Sequence, residues 1–291
     1  MPEMETIACP ICGSAEVKVL HTHRLYTMSR CKGCGFVRQS TRLTADEMRT
    51  LSYDPEGGHE ELHLGHQAGN EDLPAWQPKP LEAYEVCVEA IERARPKVKP
   101  RGLWLDIGAA TGSLLLAARN AGYEVGGAEL GTPQVKICKE EHGIDVFHGT
   151  LREAAFPDGC AEVISWRQVM EHVYEPRAEL AEARRVLTDD GCLLIEVPNF
   201  GGVKYQLGRL RTWLRVSRPF WEGLNLPQHI YYFTIKSLRE LLAREGFEVV
   251  MWTTYGKYRK QPSLFQRVRT SIRDGLRIGN KLRVVARRRT G

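Results

Sequence analysis

The chain has 291 residues, of which 42% are hydrophobic and 26% charged, a composition typical of a globular protein with one sizeable core and a small appended module. No stretch approaches the roughly 20 apolar residues that a membrane-spanning helix needs, and the N-terminus lacks the apolar core of a signal peptide. These features argue against a membrane-spanning protein, and we expect a cytoplasmic one.

The formal net charge of +5 is unevenly distributed along the chain. The stretch from Gly256 to the C-terminus holds 12 Lys and Arg residues and one Asp. A second stretch, from Pro198 to Trp221, holds five basic residues and no acidic one. Such basic surfaces favour an anionic partner, which could be a phosphorylated substrate, a nucleic acid or an anionic membrane face, although a solvated basic surface is the alternative.

Two Cys-x-x-Cys pairs, each followed by glycine, lie near the N-terminus. They are formed by Cys9, Cys12, Cys31 and Cys34. Four thiolates with this spacing predict a closed tetrahedral zinc shell, and the glycines ease the tight turns beside the metal. Because all four ligands come from the protein, the predicted zinc is structural. We assign residues 1–45 to this zinc-ribbon module.

Residues 59–63 read HEELH, the pattern of a zinc metalloprotease helix. Glycines at 57, 58 and 65 leave room for barely two helical turns, and no distant third ligand is apparent. We therefore interpret residues 46–80 as a polar linker or a cap over the active face, and not as a protease site.

From residue 81 the apolar pattern alternates between helix and strand periods. The predicted strands read GLWLDIG, YEVGGAEL, IDVFHG, AEVISW and GCLLIEVP, and amphipathic helices separate them. This alternation predicts a parallel sheet with helices on both faces, which binds ligands beyond the carboxyl ends of its strands. The segments GFEVVMWTTYG and NKLRVVARR predict a final antiparallel pair joined by a basic helical excursion.

The first strand of this region leads into a glycine-containing turn, LDIGAATGS. Asp106 immediately precedes the turn, Gly108 and Gly112 lie in it, and Glu129 closes the second strand. The dinucleotide pattern G-x-G-x-x-G is absent, whereas Glu129 is suitably placed for a ribose diol. The pattern favours a nucleoside-containing ligand.

These segments resemble class I S-adenosylmethionine-dependent methyltransferases, and the resemblance extends from about residue 81 to the end. The segment from AEVISWRQVMEHV to LLIEVPN is its most specific part. It is similar to a bacterial branch that methylates sugars, quinones and other small metabolites, some members of which carry an N-terminal zinc ribbon. The resemblance implies a seven-stranded, mostly parallel, doubly wound Rossmann-like sheet over 81–291, with an insert at 199–228.

The resemblance also implies where S-adenosylmethionine binds. The implied cofactor residues are Asp106, Gly108, Ala109, Gly112, Glu129, Thr150, Leu151 and Gln168. The glycines would border the methionine moiety, Glu129 would hold the ribose hydroxyls, and Thr150 and Leu151 would lie near the adenine. Ala110 departs from the family, which more often has glycine there.

Two histidines follow predicted strands on the active face. His172 lies in QVMEHV and His229 in LPQHIYYF. Imidazole suits a general base near neutral pH, so we expect His229, or failing it His172, to deprotonate the acceptor; a structural role is the alternative for each. In quinone-type relatives a Glu-x-x-Glu-His stretch here is associated with a divalent metal. Gln168 replaces the first of these glutamates, and we expect no metal at this place.

The insert at 199–228 interleaves aromatic residues with arginines. We favour a lid over an anionic acceptor, with an amphipathic helix on a membrane surface or ordinary helix packing as alternatives. The predicted function is O-methylation of a small-molecule or glycan acceptor: a sugar, a nucleotide- or lipid-linked sugar, or a natural product. An RNA methyltransferase is the alternative, since a zinc ribbon and a basic C-terminal region also suit RNA.

Overall fold

The computed structural model describes residues 2–23, 25–53, 81–95, 101–214, 228–256 and 275–289. The HEELH stretch, part of the predicted insert and most of the basic C-terminal excursion lie outside these residues. Among the helices that are described, none is long and apolar enough to cross a membrane.

The N-terminal residues form an antiparallel sheet. Its strands are β1 (Met4–Thr6), β2 (Val17–His23), β3 (Tyr26–Cys31) and β4 (Val37–Leu43), in the spatial order β1-β4-β3-β2, and helix α1 (Ala45–Tyr53) follows. One cysteine pair precedes β2, and the other lies at the turn between β3 and β4. Gly13 and Gly35 have φ angles of 74° and 78°. These left-handed conformations explain the glycine after each cysteine pair.

A second, larger sheet occupies the rest of the chain. Its strands are β5 (Leu103–Ile107), β6 (Glu124–Glu129), β7 (Val146–His148), β8 (Ala161–Arg167), β9 (Leu187–Pro198), β11 (Phe247–Tyr255) and β12 (Lys281–Arg288). The short strand β10 (Tyr231–Tyr232) pairs with the N-terminal sheet instead. The spatial order is β11-β12-β9-β8-β5-β6-β7. Only the pairs that involve β12 are antiparallel. The predicted seven-stranded, mostly parallel sheet with an antiparallel end is confirmed.

Helices separate the strands and cover both faces of this sheet. They are α2 (Glu82–Ala94), α3 (Ser113–Asn120), α4 (Thr132–His142), α5 (Leu151–Ala154), α6 (Pro176–Val186), α7 (Val203–Trp213) and α8 (Ile235–Arg244). Successive strand residues alternate between two apolar clusters: Trp104 packs with α2 and α3, whereas Leu105 packs with α6 and α8. Burial on both faces explains why these strands are nearly continuous apolar runs.

The two sheets meet through β10. This strand pairs antiparallel with β4, with Tyr231 opposite Arg38 and Tyr232 opposite Val37. In addition, the Gln39 N–H donates to the Ile230 carbonyl oxygen at 2.8 Å. The N-terminal sheet therefore gains a fifth strand from a segment nearly 200 positions further along the chain.

A buried ion cluster joins three strands at the carboxyl edge of the large sheet. Glu196 is fully buried and accepts hydrogen bonds from Arg167 at 2.7 Å and from Arg283 at 2.5 Å. Burial alone would raise the pKa of Glu196, but the two guanidinium groups outweigh it and hold this pKa at about 2. The cluster thus links β8, β9 and β12 through an ionised carboxylate.

We expect Glu196→Gln to lower the free energy of unfolding by about 3–5 kcal/mol, because removing one partner leaves buried charges uncompensated. Urea unfolding at pH 7 measures this change. Glu140→Gln removes an exposed partner of Lys136 on α4 and should change stability by less than about 0.5 kcal/mol. Equal effects of the two substitutions would contradict the role of the cluster.

Candidate active site

The turn after β5 has a backbone conformation that requires glycine. The N–H groups of Gly108 and Ala109 donate to the Ala128 carbonyl oxygen at 2.8 and 3.2 Å, which ties the turn to β6. Gly108 has a φ of 73°, and a Cβ atom there would clash with the Val169 side chain. Gly112, with a φ of 77°, precedes α3 as its N-cap residue. Backbone conformation and space together explain these glycines.

Glu129 holds the same turn from the end of β6. One carboxylate oxygen accepts the Ala110 N–H and the other accepts the Gly131 N–H, both at 2.8 Å. Each carboxylate oxygen has a further lone pair, so Glu129 retains acceptor sites for the two hydroxyls of a ribose. Ala110 has a φ of 48°, a left-handed conformation that strains a residue with a side chain. The departure from glycine at this position therefore carries an energetic cost.

Asp106 lies within the sheet, below the turn. Its carboxyl accepts the Ser165 hydroxyl at 2.6 Å, and Ser165 in turn accepts the Trp104 indole N–H at 2.8 Å. Burial raises the pKa of Asp106 to about 7. This chain of hydrogen bonds links β5 to β8 immediately before the turn.

Thr150 and Leu151 follow β7, and Gln168 follows β8. Thr150 caps α5, since its hydroxyl accepts the Glu153 N–H at 3.2 Å, and Leu151 is fully buried. Gln168 has a φ of 59°, and its side-chain nitrogen is buried with no hydrogen-bond partner among the described residues. A strained backbone and an unsatisfied buried amide are typical of a ligand site. The residues present therefore fit a polar nucleoside-containing cofactor at this edge.

The structure brings the two predicted histidines together. The rings of His172 and His229 lie 4.8 Å apart with an interplanar angle of 74°. His172 Nδ1 lies 2.9 Å from the Gln228 carbonyl oxygen. Since a carbonyl oxygen only accepts, Nδ1 carries the proton, and Nε2 of a neutral His172 bears the lone pair. In this tautomer, His172 Nε2 is the atom that can accept a proton.

Glu171 lies beside the histidine pair. Its side chain is buried, its carboxyl oxygens have no hydrogen-bond partner in the described part of the chain, and one of them is 3.9 Å from His172 Nε2. Burial raises the pKa of Glu171 to about 8, so its carboxyl retains its proton at neutral pH. The ligand atoms of Glu171, His172 and His229 lie within 4.8 Å of one another, a spacing that a divalent cation could also use.

The four predicted zinc ligands also cluster. The sulfur atoms of Cys9 and Cys34 are 3.5 Å apart, and those of Cys12 and Cys31 are 3.4 Å apart. These separations are too long for disulfide bonds. Sulfur atoms around a tetrahedral zinc ion with 2.3 Å bonds lie about 3.8 Å apart, so the four thiols fit such a shell.

The N-terminal sheet and its cysteines (residues 2–45, the cysteine module) directly contact residues 228–232, which carry His229 (the histidine segment). The Gln39 side-chain amide donates to the His229 carbonyl oxygen at 2.8 Å. Arg42 donates to the Tyr231 hydroxyl at 3.3 Å, and Phe36 stacks on Tyr231 with ring centroids 5.8 Å apart. The same N-terminal sheet that carries the cysteines therefore positions the backbone of His229.

Sequence reasoning did not assign a role to three of these residues. Glu196 had a detectable signal, because a carboxylate within the apolar strand LLIEVP is expected to be buried and paired. Glu171 was noticed only as part of a Glu-His pair. Gln39 gave no signal, since its partner lies 190 positions away.

We expect Gly108→Ala to weaken binding of S-adenosylhomocysteine at least tenfold, because the added methyl group would displace Val169 and the turn. Isothermal titration calorimetry measures the affinity. Gly143→Ala is the matched control, since Gly143 also has a left-handed φ of 61° but open space around its Cβ position. It should cost about 1–2 kcal/mol of stability and leave the affinity unchanged.

The double variant Gly108→Ala/Val169→Ala removes the methyl group that would clash and should recover part of the lost affinity. Equal affinity in wild type and Gly108→Ala would contradict the assignment of this turn to the cofactor.

Comparison with known proteins adds the family. Residues 81–251 match the family model of a methyltransferase domain. A probable S-adenosylmethionine-dependent methyltransferase of Mycolicibacterium smegmatis is 33% identical over 106 residues, which are 36% of this chain and 36% of that protein. The match thus spans about a third of that relative's length.

Solved structures share the fold. One is a methyltransferase from Haloferax volcanii in complex with the methyltransferase activator Trm112. The aligned region covers 72% of this chain and 92% of that chain, with 15% identity and a TM-score of 0.53. A methyltransferase from Thermotoga maritima covers 72% and 89%, with 17% identity and a TM-score of 0.50. The family match spans more than half of the chain, and its residues include the glycine turn, Glu129 and His172; the chain belongs to the methyltransferase-domain family and contains an S-adenosylmethionine-dependent methyltransferase domain.

Proposed function

We propose that the protein transfers a methyl group from S-adenosylmethionine to a hydroxyl group of an anionic small-molecule or glycan acceptor, with His172 as the general base. The observation that carries this proposal is the contact between His172 Nδ1 and the Gln228 carbonyl oxygen. It leaves Nε2 as the proton-accepting atom. Sequence alone put His229 first, and this contact now favours His172.

A protonated Glu171 carboxyl favours the neutral, proton-accepting form of the His172 imidazole. An ionised carboxylate 3.9 Å from His172 Nε2 would favour the protonated imidazole and so remove the base. Because burial raises the pKa of Glu171 to about 8, its carboxyl is neutral near pH 7. The neutral form of His172 is then available to accept a proton from a hydroxyl group.

His229 takes a positioning role in this proposal. Its ring meets the His172 ring edge to face, and its carbonyl oxygen is held by the Gln39 amide. The packed His229 ring limits the orientations of the His172 ring. Holding the base in a fixed orientation towards the acceptor hydroxyl contributes to the rate of a reaction between two bound molecules.

The cofactor supplies an electrophilic methyl group that a nucleophilic oxygen can attack. The residues of this chain bind and orient the two reactants: Glu129 and the glycine turn hold the cofactor, Gln168 offers an amide donor, and His172 takes the acceptor proton. Carboxyl ends of β5, β6 and β8 bring these groups to one edge of the sheet, where ligands of such sheets bind.

We also propose a structural zinc ion bound by Cys9, Cys12, Cys31 and Cys34. The close sulfur atoms of these residues support it. Four protein thiolates would complete the coordination shell, so the ion would act by holding the knuckles beside β4 and would not contact the acceptor. Since β4 pairs with β10, zinc binding would support the segment that carries His229.

We expect His172→Ala to lower turnover by about 10²–10⁴-fold, the usual contribution of a general base, while the affinity for S-adenosylhomocysteine stays unchanged. Turnover is measured as release of S-adenosylhomocysteine with a panel of phosphorylated hydroxyl compounds. His142→Ala, at the end of α4, is the matched control and should retain full turnover.

Two results would contradict the proposal. One is full turnover in His172→Ala. The other is a strict requirement for an added divalent cation, which would assign Glu171, His172 and His229 to a metal. A salt-sensitive gel shift with total RNA, together with turnover on RNA only, would favour the RNA alternative.

A further inference from the structure

A cavity of about 250 Å³ lies between the cysteine module and the methyltransferase domain. Its walls come from β3, the second cysteine knuckle, β4, the segment after β9, α7, β10 and α8. It is separate from the glycine turn and from Glu129, which do not line it. Its chemistry is set by three cations and three aromatic rings.

The cations come from three different elements. They are Arg30 of β3, Arg209 of α7 and Lys236 of α8. In the described part of the chain, none of the three has an ion pair or a hydrogen bond to its side chain. The carboxylate in the cavity lining, Glu240, pairs with Arg244 at 3.5 Å. Among the described residues, the lining thus holds three cations and one carboxylate, an excess of positive charge that favours an anionic ligand.

Part of the cavity lining is aromatic. Phe36, Phe200 and Tyr232 are all buried, and the rings of Phe200 and Tyr232 are 5.3 Å apart. The Tyr232 hydroxyl is buried and has no hydrogen-bond partner among the described residues. Apolar rings beside arginine and lysine fit a molecule that joins a phosphate group to a ring or hydrocarbon part.

The aromatic wall also connects the cavity to the histidine pair. Tyr205 packs against Phe200 with ring centroids 5.3 Å apart. Tyr232, which lines the cavity, directly follows Tyr231, whose N–H donates to the Glu171 carbonyl oxygen at 3.2 Å. The cavity and the histidine pair therefore share one short segment, which carries both His229 and Tyr232.

We infer that this cavity binds the phosphate or pyrophosphate group of the acceptor, and so anchors the acceptor while its hydroxyl reaches His172. The identity of the ligand as the methyl acceptor rests on the proposed function, whereas phosphate binding in the cavity is independent of it. Guanidinium groups bind phosphate through paired, charge-assisted hydrogen bonds, which suits the two arginines. The ligand class is a phosphorylated small molecule, either nucleotide-linked or lipid-linked.

The test is calorimetric titration of the full chain with pyrophosphate. Arg30→Gln and Arg209→Gln should each weaken pyrophosphate binding at least tenfold, and Lys236→Gln should weaken it several-fold. Arg93→Gln and Lys136→Gln remove cations from α2 and α4, which do not line the cavity, and should bind as wild type does. Weakening in the controls equal to that in the cavity variants, or no weakening in either set, would overturn the inference.

A competition arm separates the two sources of phosphate. Displacement of pyrophosphate by a nucleoside diphosphate, or by a short-chain prenyl diphosphate, would support the inference and identify the source. Displacement by neither would overturn the assignment of the cavity to the acceptor.

The His172→Ala variant separates this inference from the proposed base. It should bind pyrophosphate as wild type does, because the cavity does not include His172. Full turnover in this variant would overturn the base and leave the pyrophosphate result standing. Loss of pyrophosphate binding in this variant would overturn the inference that pyrophosphate binds in this cavity, away from His172.

Discussion

The pairing of β10 with β4 is the interaction on which the geometry of the candidate active site depends. Two residues of β10 extend the N-terminal sheet, and the Gln39 amide holds the His229 carbonyl oxygen. On its other side, the same segment is bound to Glu171, whose carbonyl oxygen accepts the Ile230 N–H at 2.8 Å. The segment that carries His229 is thus held between β4 and the loop that carries Glu171 and His172.

Two buried carboxyl groups show how their surroundings shift the pKa in opposite directions. Glu196 has two guanidinium partners, which hold its pKa at about 2 and make it an ionised link between strands. Among the described residues Glu171 has no guanidinium partner, and burial raises its pKa to about 8. A paired buried charge stabilises the sheet, whereas an unpaired buried acid is typical of a site that binds or transfers something.

Local patterns in the sequence predicted the large sheet, its antiparallel end, the cysteine cluster and the glycine turn. Each of these depends on short-range rules: strand periodicity, paired cysteines, and glycine where φ is positive. The β4–β10 pairing and the Gln39 contact join residues almost 200 positions apart, and no local rule specifies them. The charged cavity escaped prediction for the same reason, since Arg30, Arg209 and Lys236 come from distant segments.

Hydrogen exchange at the amides of Ile230 and Tyr231 tests the central claim most directly, by comparing the zinc-loaded protein with a Cys31→Ser variant. If the cysteine module holds the histidine segment, these amides exchange at least tenfold faster in the variant, while those of β5 and β8 stay protected. Unchanged exchange at Ile230 and Tyr231, with the module demonstrably loosened at β4, would contradict the account.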